Sequence, residues 1–245
     1  MNAALLLPGV LMLAAPGDWQ VWTLTRTERV LREDPAGAGT SVHVRAARNE
    51  WRSFQVLMRA KAAVPGVTLE PGDLIGPGGA VIPARTARLF RQHQLYLELP
   101  TARNEAFRPG WYPDALIPFD HPVTRQPLPP ARYRAVPFDL PAGETHGFWV
   151  DLYAPRNAPP GEYRGTYRLR AADGRQVPLS VTLTLWDFAL PDTPTMHTAF
   201  GSPGARLRGY YEQRAREGKE PAPTDWAAVD EQCAELLARN RINAS

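Results

Sequence analysis

Pro159-Pro160-Gly161-Glu162-Tyr163-Arg164-Gly165-Thr166-Tyr167-Arg168-Leu169-Arg170 is the stretch whose reading decides the fold. Tyr163, Gly165, Tyr167 and Leu169 alternate with Glu162, Arg164, Thr166, Arg168 and Arg170. A period of two is that of a strand with one buried and one wet face. Asp173-Gly174 supplies turn chemistry for a reversal. The chain then returns through Val177, Leu179, Val181, Leu183 and Leu185, with Pro178, Ser180, Thr182 and Thr184 between them. A long hairpin with one apolar face needs a second sheet to cover that face, so the stretch predicts a β-sandwich.

Upstream of the hairpin the same short-strand pattern repeats. Strands are predicted over Gln20–Leu31, Ser41–Arg45, Trp51–Arg59, Val67–Leu69, Ala80–Ile82, Leu89–Leu99 and Phe148–Tyr153, with turn residues between them. From Pro100 to Pro141 no period survives, and prolines recur throughout. A connection of that length is expected to be an ordered functional loop or an insertion. Its aromatic residues, among them Phe107, Trp111, Tyr112, Phe119, Tyr133 and Phe138, predict that it packs against the sandwich.

Downstream of Leu190-Pro191 the pattern changes. Met196–Gly201 reads as a short strand, Arg206–Lys219 as a helical stretch, and a clearer helix begins after Thr224 or Asp225, either a good N-cap. Trp226, Val229, Cys233, Leu236 and Leu237 share one face of that helix, and Ile242 reads as the start of a further strand. Strand–helix–strand is the opening of a parallel α/β unit. The expected class is therefore mainly β, an antiparallel β-sandwich followed by the truncated beginning of a (β/α)8 barrel. The expected boundaries are 1–16 for a signal segment, 17–191 for the sandwich and 192–245 for the first strand–helix unit.

Composition bounds the function. A hydrophobic content of 44% supports a real core. The net charge of +3 comes almost wholly from arginine, since Lys61 and Lys219 are the only lysines. The basic residues are dispersed among 25 acids, without the stripe that nucleic-acid binding needs. The single cysteine, Cys233, excludes a disulfide scaffold. Met1–Pro16 carries a broken apolar run ending in small residues, which predicts a secretory signal and hence a periplasmic or secreted protein. The run is too short and interrupted to span a membrane.

Several stretches together resemble glycoside hydrolase family 123 and its relatives. Asn49-Glu50 with Ser53-Phe54-Gln55 is similar to the start of that family's sandwich. Tyr112-Pro113-Asp114-Ala115-Leu116-Ile117-Pro118, Trp149-Val150-Asp151 and Pro160-Gly161-Glu162-Tyr163-Arg164-Gly165 resemble its interior, and Trp186-Asp187-Phe188-Ala189-Leu190-Pro191 its exit. Met196–Gly201, the Trp226 helix and Asn240-Arg241-Ile242 resemble the opening of the family's barrel. The resemblance, over about Gln20–Ser245, implies a two-domain enzyme that removes terminal N-acetylgalactosamine, with the substrate's acetamido group as nucleophile. It implies a carboxylate that orients that group and a neighbouring acid that protonates the leaving oxygen, both at the ends of later barrel strands. No catalytic residue is therefore expected within these residues, and no cofactor.

Other chemistry is thinly represented. Asp230-Glu231 is an adjacent acid pair, but mid-helix neighbours diverge, so it reads as a solvated face. Glu33-Asp34 lies by a turn. His43, His93, His121, His146 and His197 lack metal-ligand spacing. Asp120-His121 reads as a surface hydrogen bond. Gly76-Pro77-Gly78-Gly79 lacks the lysine of a phosphate loop, and no nucleophile elbow is present. Phe200-Gly201-Ser202-Pro203 with Arg206 would face substrate if the barrel forms. Trp111, Tyr112 and Asp114 are candidates for a sugar-stacking platform, against the commoner use of aromatics as anchors. Two functional readings follow: the N-terminal portion of a hydrolase acting on N-acetylhexosamine glycans, or a non-catalytic sandwich that binds carbohydrate or scaffolds a partner domain.

Overall fold

A computed structural model describes residues 18–25, 27–100, 107–130, 133–199, 201, 203–219 and 221–243. The expected signal segment lies outside them. The chain divides into two compact units between Leu190 and Pro191.

The first unit is mainly β, with two facing sheets. One is five-stranded, in the order β1 (Trp19–Thr25), β3 (Glu50–Ala60), β10 (Thr145–Ala154), β7 (Ala87–Leu97), β8 (Gly110–Pro118). The other runs β2 (Ser41–Arg48), β12 (Gln176–Ala189), β11 (Gly161–Arg170), β4 (Val64–Glu70), β9 (Phe138–Leu140), with the short pair β5 (Leu74–Ile75) and β6 (Val81–Ile82) beside β11. Strands pair antiparallel except β2 with β12.

The hairpin forms as its alternation dictates. Tyr163 pairs with Leu183, Gly165 with Val181, Tyr167 with Leu179 and Leu169 with Val177. The Arg and Thr positions of β11 stay exposed. Gly174 takes a positive φ in the turn, and the Asp173 carboxylate accepts from the Arg175 backbone and guanidinium. That pairing holds the Asp173 carboxyl below its ordinary range. The buried face of the hairpin meets Phe54, Val56 and Met58 of β3 and Phe148, Val150 and Leu152 of β10 in one core. Phe54 and Tyr167 touch across it, with ring centroids 5.9 Å apart. Each such side chain contributes on the order of 1.5–3 kcal/mol by leaving water.

The structure departs from the sequence expectations in four places. The first strand ends at Thr25 rather than Leu31, because the chain leaves the ladder to lie over the outer face of its own sheet. The 100–141 stretch is not all loop, since it supplies edge strand β8 and the short β9. Pro113 is tolerated because β8 is an edge strand, where one side needs no ladder donor. Met196–Gly201 forms no strand among its described residues, and Ile242 begins none.

The second unit contains α1 (Gly204–Arg216) and α2 (Trp226–Arg239). Asp225 caps α2 by accepting from the Ala228 backbone N–H at 3.0 Å. The segments before α1 and after α2 lie side by side without a ladder. Their link is made by Thr198 and Asn243, whose side chains each accept from the other's backbone N–H. No residue of α2 is fully buried, and Leu236 is exposed. No described helix is long and apolar enough to cross a membrane.

Candidate functional site

The outward positions of the five-stranded sheet are not all wet. Gln55, Gln92 and Gln94 are 2%, 5% and 6% exposed. They are covered by the segment after β1, which is held by side chains and by the Arg32 backbone, whose N–H donates to the Trp111 carbonyl and whose carbonyl accepts from the Thr145 N–H. Gln55 Nε2 donates to the carbonyls of Thr25 and Glu28 at 2.8 and 2.6 Å. Gln92 Nε2 donates to Gln55 Oε1, and Gln94 Nε2 to the Thr145 carbonyl. Arg32 Nε donates to Gln94 Oε1, while Arg59 donates to the carbonyls of Arg32 and Asp34 and to Thr145 Oγ1. Buried amides satisfied in this way fix the strap without slack. Gly147 is part of the device. A Cβ there would stand 2.2 Å from Gln92 Oε1 and 2.6 Å from Leu57 Cδ2, so only glycine lets the Gln92 amide cross β10.

A groove of about 360 Å³ opens over this floor. Gln55, Trp149 and Gln92 form its base, on the adjacent strands β3, β10 and β7. Thr27, Glu28 and Arg29 form one wall, and Pro113, Asp114 and Leu116 of β8 the other. Gln92 pairs with Leu116 and Gln94 with Pro113, so Asp114 and Ala115 stand opposite His93 alone. That is a β-bulge, a device that re-aims side chains beside sites. Trp149 is held rigidly, because its Nε1–H donates to Asp151 Oδ1 at 2.7 Å and Ser53 Oγ donates to the same oxygen at 2.6 Å.

The sugar-stacking trio divides here. Asp114 lines the groove. Trp111 does not, since the Arg32 guanidinium sits 3.7 Å from its ring centroid and Tyr96 meets it edge-on. Tyr112 is buried, stacked on Phe107, with its hydroxyl donating to the Arg108 carbonyl. Both are anchors.

The remaining candidates fall apart from one another. Asp230 and Glu231 are exposed on α2, and only Asp230 borders an open depression, with Arg208 and Glu212. Asp34 caps a turn by accepting from the Leu31 N–H and pairs with Arg108, and Glu33 is exposed. Asp120 pairs with Arg125 and not with His121, whose Nδ1 accepts from the Val123 and Thr124 backbones. His43 bonds Thr184, His93 packs on Tyr133, and His197 is exposed. Among the described residues no group of three His, Cys, Asp or Glu could hold a metal. Gly76–Gly79 forms a tight turn around Pro77. Phe200 and Ser202 lie outside the described residues, and Arg206 is exposed on α1. Cys233 is half-buried.

His146 is 6% exposed and packs on Phe138, with ring centroids 4.9 Å apart. Burial pushes its imidazole down, and Arg32 and Arg91 push the same way, against the Glu144 carboxylate that its Nε2 meets at 2.8 Å.

No family model matches the sequence, and no curated protein matches it. Solved structures do. A family 123 glycoside hydrolase from Clostridium perfringens, described for glycolipid glycan hydrolysis, matches with a TM-score of 0.64 at 15% identity, over 79% of this chain and 32% of that one. The fold of this chain is similar to part of that enzyme, and the chain spans about a third of its length. PapD-like domain 7 of human CEP192 matches at TM-score 0.33, 10% identity, 76% and 96% coverage. Spo0M of Bacillus subtilis matches at TM-score 0.33, 10% identity, 81% and 56% coverage. Likenesses at that level carry no argument.

Proposed function

We propose that this chain is the N-terminal portion of a glycoside hydrolase-like protein acting on glycans that contain N-acetylhexosamine. Its catalytic acids would belong to a (β/α)8 barrel following the sandwich, in which α1 and α2 would be early helices. The observation that carries this reading is the fold match to the Clostridium enzyme, which takes in most of this chain but a third of that one. The mechanism would be substrate-assisted, one carboxylate orienting the acetamido group and its neighbour protonating the leaving oxygen. An extracytoplasmic location follows if Met1–Pro16 acts as a signal segment.

The coding sequence after codon 245 tests this at once. The reading requires further alternating strands and helices with two neighbouring acids at the end of one strand. A frame that continues without them would overturn it.

A further inference from the structure

We propose that the groove over Gln55, Trp149 and Gln92 is a binding site for a neutral saccharide, on the sandwich itself and independent of the catalytic reading above. Three stretches far apart in sequence converge there: Gln55 of β3, Pro113–Leu116 of β8 and Trp149 of β10. Each lies in a segment that the sequence singled out and that no step of hydrolysis uses. A satisfied, covered scaffold would end in a closed surface, yet this one leaves a cavity at the lower end of the small-molecule range.

The chemistry selects the ligand. Trp149 has its only polar atom engaged by Asp151, so its ring acts as an immobile apolar plane. Leu116 and Pro113 add apolar surface. Around the plane stand groups that accept and donate in pairs: the carboxylates of Glu28 and Asp114, the guanidinium of Arg29 and the Gln92 amide. Gln92 is 5% exposed, with its Nε2 donating to Gln55 Oε1, so its amide is held in a fixed position at the base of the groove. A pyranose has the matching surface, one face of C–H groups edged by hydroxyls that donate to carboxylates and accept from amides and guanidinium. A phosphate or acidic sugar would meet two carboxylates against one arginine. A simple amine would use the acids and the ring but be repelled by the Arg29 guanidinium on the same wall.

The test is titration of the full chain with neutral β-linked oligosaccharides of N-acetylhexosamine, galactose or glucose, with sialylated oligosaccharide and choline as comparison ligands. At least one neutral oligosaccharide should bind, with little dependence on salt. Asp114→Asn and Trp149→Ala should each weaken binding by about tenfold to a hundredfold. Trp186→Ala, at an exposed tryptophan away from the groove, should leave it unchanged. If Trp149→Ala does not fold, the exposed Asp114→Asn decides alone. Absence of binding at millimolar neutral sugar, binding unaffected by Asp114→Asn, or preference for choline or the sialylated ligand would each overturn the assignment.

Discussion

Two tyrosines on one face of β11 show how little of a residue's role its burial reveals. Tyr163 and Tyr167 are both fully buried. Tyr163 donates its hydroxyl to the Pro159 carbonyl at 2.8 Å, whereas the Tyr167 hydroxyl has no partner among the described residues. Burial pushes both phenols up. Tyr163→Phe should cost about 1 kcal/mol, and Tyr167→Phe should be neutral or stabilising by up to about 1 kcal/mol. Urea melts of the two variants check the opposite signs. His146 gives a pH effect at the same scale. Its folded-state value lies below the ordinary 6.5, so the unfolded chain binds the proton more readily. The stabilisation of the neutral form is complete above about 6.5 and is lost as pH falls from there towards the folded value. Unfolding midpoints should therefore drop between pH 7 and 5, and His146→Gln should flatten that drop. The slope that remains belongs partly to His93, which burial and Arg91 also push down. A variant as steep as the parent would contradict this account.

Among the elements, the junction of β2 and β3 secures the end of β12. Asn49 stands at a φ of 61°, and its Nδ2 donates to the Leu190 carbonyl at 2.9 Å while Tyr153 donates to its Oδ1 at 2.7 Å. Asn49→Ala should cost about 2–4 kcal/mol, through lost buried hydrogen bonds and a strained backbone. Asn49→Gly, free of the strain, should recover roughly 1 kcal/mol of that. Equal melting of the two variants would mean that backbone conformation contributes nothing there. Elements that show one face to the core and one to water, such as β11 and β12, were legible as alternation. β8 was not, because Pro113, Pro118 and the bulge at Asp114-Ala115 break the period. The groove was hidden for a related reason. Gln55, Gln92 and Gln94 occupy outward positions, and outward normally means wet. Apolar residues on that same face, Trp22 and Leu57 among them, are the signal that something covers it.

For the whole molecule, the sandwich and the unit after it differ in how they are held. The first unit has a continuous two-sheet core, a buried polar strap and clamped strand ends. The second has two helices with one buried helical residue between them, Gly204. Helices with so little burial draw scant stability from packing. Hydrolysis of aryl β-N-acetylgalactosaminide and β-N-acetylglucosaminide, by this chain and by any protein in which its sequence continues past Ser245, tests the proposed function most directly. The account predicts no turnover by the 245 residues and turnover once the downstream sequence is present. Turnover by this chain alone would place catalytic acids within it and contradict the account, and so would silence from both proteins.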